Sequence, residues 1–133
     1  MIDLEKTREF FSNDKYASEA TGIVIDAVSE NYAKTSLVIG PKHLNARGGL
    51  MGAVPFTMAD FTFAVATNAG KEEGTVSTVS SITHLSPPKG KSLIAESSLV
   101  RDGKTLCTYD IIIKDELGTL VAKATVTGMH LRK

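Results

Sequence analysis

The chain has 133 residues, of which 42% are hydrophobic and 23% are charged, so we expect one ordinary globular domain spanning residues 1–133. Its 15 basic and 15 acidic residues give a formal net charge of zero, which argues against charge-driven binding to nucleic acid or to a membrane. A single cysteine, Cys107, allows no internal disulfide, and its spacing to the three histidines predicts no metal site. The first eight residues lack the apolar core of a secretion signal, so a cytoplasmic location is expected.

The first third of the chain predicts a short helix and two strands. Residues 2–12 place apolar residues among charges, as in a short amphipathic helix. From Ala20 the apolar period shortens to two, which predicts a strand that ends at Asn31-Tyr32. A second strand follows and ends at Gly40-Pro41, with one face formed by Ala33, Thr35, Leu37 and Ile39. Residues 41–51 are expected to form a loop with a flexible point at Gly48-Gly49.

Residues 48–70 form the most apolar stretch, and their length reaches the range of a transmembrane helix. They include Asp60, however, and a charge near the middle of a bilayer costs roughly 2.5–3.5 kcal/mol. We therefore expect a helix over residues 52–69 that is buried inside the domain. Pro55 fits its first turn, where a missing N–H breaks no hydrogen bond, and Asn68-Ala69-Gly70 is a typical helix end.

The remaining residues predict four strands at 75–86, 92–101, 105–114 and 119–130, joined by turns. The Asp-Gly pair at residues 102–103 is a strong hairpin signal. Because the long helix is apolar nearly all round, it must be covered on most sides. The predicted fold class is therefore α+β, with a curved six-stranded antiparallel sheet wrapped around one long central helix. The open side is left for a partner subunit.

Asp60 is the sharpest chemical signal, since it is the one ionisable residue within 52–69. A buried carboxylate is hydrogen-bonded, protonated or placed beside a cavity. Phe56, Phe63 and Ala64, its neighbours at helical spacing, argue against an exposed position. Gly52, at the start of the helix, lets a ligand approach N–H groups at the positive end of the helix dipole.

Residues 45–60 (NARGGLMGAVPFTMAD) resemble the signature segment of hotdog-fold acyl-CoA thioesterases of the phenylacetate-degradation (PaaI-like) type. Asn45, Gly48, Gly52 and Asp60 fall at the spacings of that family. Val76-Ser77 and residues 82–87 are similar to its third strand, and the resemblance covers nearly all of residues 16–130. It implies a hotdog fold and thioester hydrolysis without a metal or cofactor, with coenzyme A as part of the substrate.

The resemblance also implies a role for individual residues. Asp60 is expected to be the general base or nucleophile toward the thioester, and the Gly52 N–H is expected to polarise its carbonyl. Asn45, which by itself has the pattern of a loop-capping asparagine, is expected to orient the water or the carbonyl. Ser77 is expected to support Asp60 or the attacking water. The phosphates of coenzyme A would need basic residues in or near turns, and those available are Lys89, Lys91, Arg101 and Lys104.

Two positions depart from the family pattern. Met51 stands where the family usually has histidine, and Ala53 replaces its second glycine. Methionine neither donates a hydrogen bond nor titrates, so any role of that histidine in holding the thioester at position 51 is lost. The departure keeps open a second function, non-hydrolytic binding of acyl-CoA or an acyl carrier. A hotdog dehydratase is disfavoured, because Val65 stands where a histidine is expected after Asp60.

One sheet and one helix would leave apolar surface uncovered, so self-association as a homodimer or a dimer of dimers is expected. The resemblance implies a site shared between two subunits, with Asn45 and Gly52 from one and Asp60 and Ser77 from the other. His84, in an alternating strand, is expected to be a residue at the edge of the core.

Overall fold

The computed structural model describes residues 1–132. Its elements are α1 (Leu4–Phe11), a π-helical turn (Tyr16–Thr21), β1 (Val24–Ser29), β2 (Tyr32–Val38), a 3₁₀ turn (Pro41–His43), α2 (Ala53–Asn68), β3 (Thr75–His84), β4 (Ser92–Asp102), β5 (Leu106–Asp115) and β6 (Leu120–His130). Every predicted helix and strand is present, and apart from β1 their ends lie within a residue or two of the predicted boundaries.

The segment before β1 is the main difference from the prediction. Residues Tyr16–Thr21 form a π-helical turn, so the strand begins at Val24 instead of residue 20. The Asp14 carboxylate starts this turn by accepting the Ala17 N–H at 3.1 Å, and Gly22 ends it with a left-handed φ of 83°. A single turn is too short to show a helical period in the sequence, which is why the pattern did not reveal it.

Within residues 1–132 the six strands form one antiparallel sheet in the order β1-β2-β4-β5-β6-β3. The helix α2 contacts all six strands. Strands lie about 4.8 Å apart, so six of them span roughly 24 Å and a flat sheet could not reach around one helix. The sheet is therefore strongly curved, and α2 lies along its concave face, as predicted.

The core lies between α2 and the middle strands. Side chains alternate along β5, so its inward positions are buried, namely Cys107, Tyr109, Ile111 and Ile113. On α2, the ring of Phe63 meets the ring of Tyr109 edge-on at 5.6 Å. A Cβ atom at Gly128 on β6 would lie 2.5 Å from the Phe63 ring, so only glycine lets this strand approach so closely. Burial of each large apolar side chain contributes about 1.5–3 kcal/mol to stability.

Two surfaces around α2 lack a cover in the single chain. One is a stripe along the outward side of the helix, and the other is the outer edge of β3, which pairs with β6 on its inner side and ends the sheet. Val79, in the middle of β3, is 65% exposed. An unpaired strand edge is a template for pairing with another chain. In residues 1–132 no helix is long and apolar enough to span a bilayer.

Candidate active site

Asp60 lies on the outward stripe of α2, so the expectation that it is buried was wrong for the single chain. Asp60 itself is exposed and Ala64 is half-buried, whereas Phe63 on the covered side is 1% exposed. Phe56, one turn before Asp60, is 40% exposed. The apolar neighbours misled the prediction because the stripe that the sheet leaves uncovered is itself partly apolar.

The Asp60 carboxyl lies between β3 and the segment that follows α1. Although the residue is exposed, burial of the carboxyl by surrounding atoms is the largest cause that raises the pKa of Asp60. The negative charge of Asp14 raises this pKa further, and a hydrogen bond with the Ser77 side chain lowers it. The structure thus brings Ser77 to Asp60 and gives that carboxylate a higher proton affinity than an ordinary aspartate.

The first turn of α2 has no capping side chain. Gly52 occupies the N-cap position, and no side chain accepts a hydrogen bond from the first N–H groups. Within residues 1–132 the Gly52 N–H has no backbone acceptor either. A cavity of about 380 Å³ opens at this end, and its walls include Asn45, Pro55, His84 and Pro88. Open N–H groups at the positive end of a helix dipole are suited to stabilise a carbonyl oxygen that gains negative charge.

Asn45 has a structural role as well as a place at this cavity. Its Oδ1 accepts the N–H groups of Arg47 at 2.9 Å and Gly49 at 3.1 Å. Its backbone also pairs with Gly49, since the Asn45 N–H donates to that carbonyl at 2.7 Å. The side chain therefore shapes the loop, while its Nδ2 group has no protein acceptor within residues 1–132, and the residue lines the cavity.

His84 is a residue of this cavity that the sequence analysis did not assign to the site. It is the last residue of β3, and its ring lies against Gly52. The two residues are 32 positions apart, so no local pattern could reveal the contact. The alternation of the strand led only to the expectation of a residue at the edge of the core, whereas His84 is exposed and meets the start of α2.

Gly52 and Asp60 line two different cavities of the part of the chain that the structure describes. The cleft beside Asp60 is formed by Phe56, Ser80, Ser81 and Ile82, among others, and is separate from the cavity at Gly52. Eight residues of helix separate the two by about 12 Å along the axis. One reacting carbonyl must lie roughly 3 Å from each of the groups that act on it. A single chain therefore does not bring all four predicted catalytic residues together.

Met51 is 50% exposed and lines a different hollow from the one at Gly52, together with Tyr16, Lys42 and Thr57. The larger groove of about 560 Å³, on the outer side of β1 and β2, includes Val24, Lys34 and Val38 and contains none of the predicted catalytic residues.

The four basic residues predicted to bind phosphate lie at opposite ends of the sheet. Lys89 and Lys91 follow Pro88 at the cavity end, where the Lys89 N–H donates to Asp115 at 2.8 Å. Arg101 and Lys104 lie at the β4–β5 hairpin, whose Thr105 carbonyl accepts the His130 N–H at the far end of the sheet. Within one chain, only the first pair lies near Gly52.

Among residues 1–132, one group of side chains could hold a metal ion. The ligand atoms of Asp102, Cys107 and His130 lie within 4.8 Å of one another. Both ring nitrogens of His130 already have partners, because Nε2 lies 2.7 Å from Asp102 and Nδ1 lies 2.7 Å from the Thr75 hydroxyl. This group is at the C-terminal end of α2, away from Asp60 and Gly52, and its internal hydrogen bonds account for its geometry.

Comparison with known proteins places this geometry in a family. Residues 47–122 match the model of the thioesterase superfamily. A candidate esterase of Archaeoglobus fulgidus is 30% identical over 126 residues, which cover 93% of this chain and 80% of that protein.

Solved structures share the fold. The PaaI protein of the Escherichia coli phenylacetic acid degradation operon superposes with a TM-score of 0.83 and 24% identity, over 98% of this chain and 97% of that chain. A hypothetical thioesterase protein of Streptococcus pneumoniae, solved with coenzyme A, has a TM-score of 0.83 and 23% identity, over 94% of this chain and 97% of that chain. The hotdog fold predicted from the sequence is confirmed.

Proposed function

The chain belongs to the thioesterase superfamily, and on that premise we propose that it hydrolyses acyl-CoA thioesters to a free acid and coenzyme A. The observation that carries the proposal is the pair of features on α2. Its uncapped N-terminus suits a carbonyl oxygen, and the raised pKa of Asp60 suits a group that accepts a proton. The Streptococcus pneumoniae relative solved with coenzyme A supports the choice of substrate class.

In the proposed reaction the thioester carbonyl oxygen accepts the Gly52 N–H. Asp60 takes a proton from a water molecule as that water attacks the carbonyl carbon, and the carbon–oxygen double bond opens to an oxyanion. The oxyanion then re-forms the carbonyl, the carbon–sulfur bond breaks, and the proton passes from Asp60 to the departing thiolate. If Asp60 attacks directly, the carbon–sulfur bond breaks in the first step and the thiolate of coenzyme A leaves, and water then hydrolyses the resulting mixed anhydride to the free acid and the Asp60 carboxylate.

The other two residues support these steps. Ser77 lies close enough to the Asp60 carboxyl to lower its pKa against the opposing effect of burial, and a hydrogen bond from its hydroxyl would hold that carboxyl in place. Asn45 lines the cavity, and we propose that its amide N–H groups donate to the carbonyl or to the attacking water. The Asn45 Oδ1 atom is already engaged by the loop, so the donor half of the amide is the half that acts.

We propose that two copies of the chain complete the site. Antiparallel pairing of β3 with a second β3, centred between Val79 and Ser80, would place Ser77 of one copy opposite Ile82 of the other. We propose that in this assembly Asp60 of one copy acts at the Gly52 end of the other helix. The pairing also covers the exposed edge of β3 and the apolar surface around Phe56.

Coenzyme A enters this scheme as part of the substrate, and the proposed chemistry uses no metal or cofactor. Lys89 and Lys91, which follow Pro88 at the rim of the cavity, are the first choice for its phosphates. Arg101 and Lys104 lie at the other end of the sheet, so they could contribute only to a site formed with another copy.

The test is thiol release from short, medium and aromatic acyl-CoAs by the wild type and by Asp60→Asn. Turnover by the wild type that the variant lacks supports the proposal.

The replacement of the family histidine by Met51 favours a second candidate function, non-hydrolytic binding of acyl-CoA or an acyl carrier. Binding without thiol release from any member of the panel would establish that function instead.

A further inference from the structure

His84 has a contact that accounts for the glycine at the start of α2. A Cβ atom at position 52 would lie 3.3 Å from Cε1 and 3.4 Å from Nε2 of the His84 ring. A side chain at position 52 would require the imidazole to shift by a few tenths of an ångström. The absence of a side chain at Gly52 thus lets the Nε2 edge of the ring approach the backbone whose N–H is open.

Among residues 1–132 the His84 ring has no competing partner. Within residues 1–132 no hydrogen bond is found for either ring nitrogen, whereas those of His43 and His130 are all bonded. His84 lies at the wall of the 380 Å³ cavity that also includes Gly52 and Asn45. An imidazole that carries a proton on Nε2 can donate a hydrogen bond into that space.

Position 51 cannot supply this donor. Methionine has no polar hydrogen, and its side chain lines a hollow with Tyr16 and Thr57, apart from the cavity at Gly52. The start of α2 therefore lacks the histidine expected from the motif, but it has another imidazole that reaches it from the end of β3.

We propose that His84 donates a hydrogen bond from Nε2 to the thioester carbonyl oxygen, beside the Gly52 N–H, and thereby replaces the donor that Met51 cannot provide. This inference rests on the proposed function, because it assigns the carbonyl to the cavity at Gly52. The donor acts most strongly on the oxyanion, so its effect is on kcat and not on binding of the substrate.

His84→Phe and His84→Gln test the proposal, since phenylalanine fills the space without a donor and glutamine retains an N–H group. We expect His84→Phe to lower kcat by about 10²–10³-fold and to leave KM nearly unchanged. His84→Gln should recover at least about tenfold of that loss. Thr83→Val, on the opposite face of the same strand, is the matched control and should leave kcat unchanged. A change confined to KM, or equal loss in the phenylalanine and glutamine variants, would overturn the proposal.

A pH profile separates this role from an effect on Asp60 of the second copy. The acidic limb of kcat/KM should keep its position in His84→Phe, because the imidazole acts on the carbonyl. A displaced limb would overturn the proposal and assign His84 to positioning the carboxylate. Adding Met51→His to His84→Phe should restore no activity, since position 51 faces another hollow; full recovery would contradict the assignment.

A binding measurement keeps the inference testable even if the protein does not hydrolyse acyl-CoA. The probe is an acyl-CoA analogue with CH₂ in place of the thioester sulfur and ¹³C at the carbonyl. We expect the wild type to shift this carbonyl resonance downfield and His84→Phe to lose most of that shift. The same shift in both proteins would overturn the role of His84 while leaving the proposed function intact. Absence of binding in both would overturn the two proposals together.

Discussion

The two ends of α2 differ in how completely their polar groups are paired. At the C-terminal end, the Asn68 side chain donates to the carbonyls of Ala64 and Thr75 and accepts the Thr75 N–H at 2.7 Å. At the N-terminal end, Gly52 provides no cap, and the ring of His84 has no hydrogen-bond partner within residues 1–132. Buried polar groups in proteins are normally paired. The complete network stabilises the fold, whereas the open groups beside a cavity are the ones available to a ligand.

The largest effect is expected at Asp60. Asp60→Asn keeps the shape of the side chain but cannot accept a proton or attack, so turnover should fall by about 10²–10⁴-fold. The melting temperature should stay the same or rise, because burial opposes the charged form of this carboxyl. Kinetics with an acyl-CoA substrate and a thermal melt of the same samples check both parts. A fully active Asp60→Asn would refute the catalytic assignment.

The raised pKa of Asp60 also determines how kcat/KM and stability change with pH. Since the base must be deprotonated, kcat/KM should fall as the pH drops through a value above the ordinary aspartate range. When the Asp60 carboxyl is protonated in both the folded and unfolded states, its burial does not lower the free energy of unfolding. The destabilisation develops as the pH rises from the unfolded pKa through the folded one, so Asp60→Asn should gain stability relative to wild type over that window. Melts across the acidic range test this sign.

Asn45→Asp tests the N-terminal end of α2, where polar groups are unpaired, and leaves the loop intact. The carboxylate can still accept the N–H groups of Arg47 and Gly49, but it loses the amide donors that face the cavity. We expect kcat to fall by about 10²-fold with little change in melting temperature. If Asn45→Ala lost activity and Asn45→Asp kept it, the loop geometry and not the amide donor would be what catalysis needs.

Asn68→Ala is the matched change at the C-terminal end of α2, where the polar groups are paired. It leaves the Thr75 N–H and carbonyl without their partner, and such losses cost about 2 kcal/mol of unfolding free energy. Chemical denaturation should show this loss, while kcat measured below the melting transition stays at the wild-type value. If Asn68→Ala impaired catalysis in the folded protein as much as Asn45→Asp, the contrast between the two ends would be wrong.

A smaller effect is expected at Asp115, which holds the loop after Pro88 at the rim of the Gly52 cavity. Burial alone would raise the pKa of this carboxyl, but N–H groups of Gly90, Thr119 and Lys89 outweigh burial and hold the pKa far below the ordinary range. Its stabilisation is present above the unfolded pKa and disappears as the pH falls through the folded value. Asp115→Asn should therefore lower the melting temperature at neutral pH, and the difference from wild type should shrink in acid. A difference that grows in acid would contradict this account.

Periodicity predicted the fold because each element is long enough to show its period. The alternation in β5 is typical of a strand with one buried face, and the apolar run of α2 is typical of a helix inside the domain, with Pro55 in its first turn and Gly70 after its end. The π-helical turn at Tyr16–Thr21 has no such signal.

The site was predictable only where it follows from the helix itself. Asp60 and Gly52 stand out as an isolated charge and a glycine at a helix start, and the motif resemblance added Asn45 and Ser77. The contact of His84 with Gly52 and the exposure of Asp60 depend on how the sheet curves around the helix, which no local pattern contains. The separation of Asp60 from Gly52 within one chain follows from the eight residues of helix between them, and the assignment of the two residues to different subunits came from the motif resemblance.

The central claim is that Asp60 of one copy acts at the Gly52 end of another, and complementation between Asn45→Ala and Asp60→Ala tests it most directly. Each variant alone should be weak or inactive. In a mixed dimer one site carries both changes and the other carries neither. Random mixing gives about half mixed dimers, so roughly a quarter of the wild-type activity should return. Demonstrated exchange of subunits without any recovery would contradict the shared site.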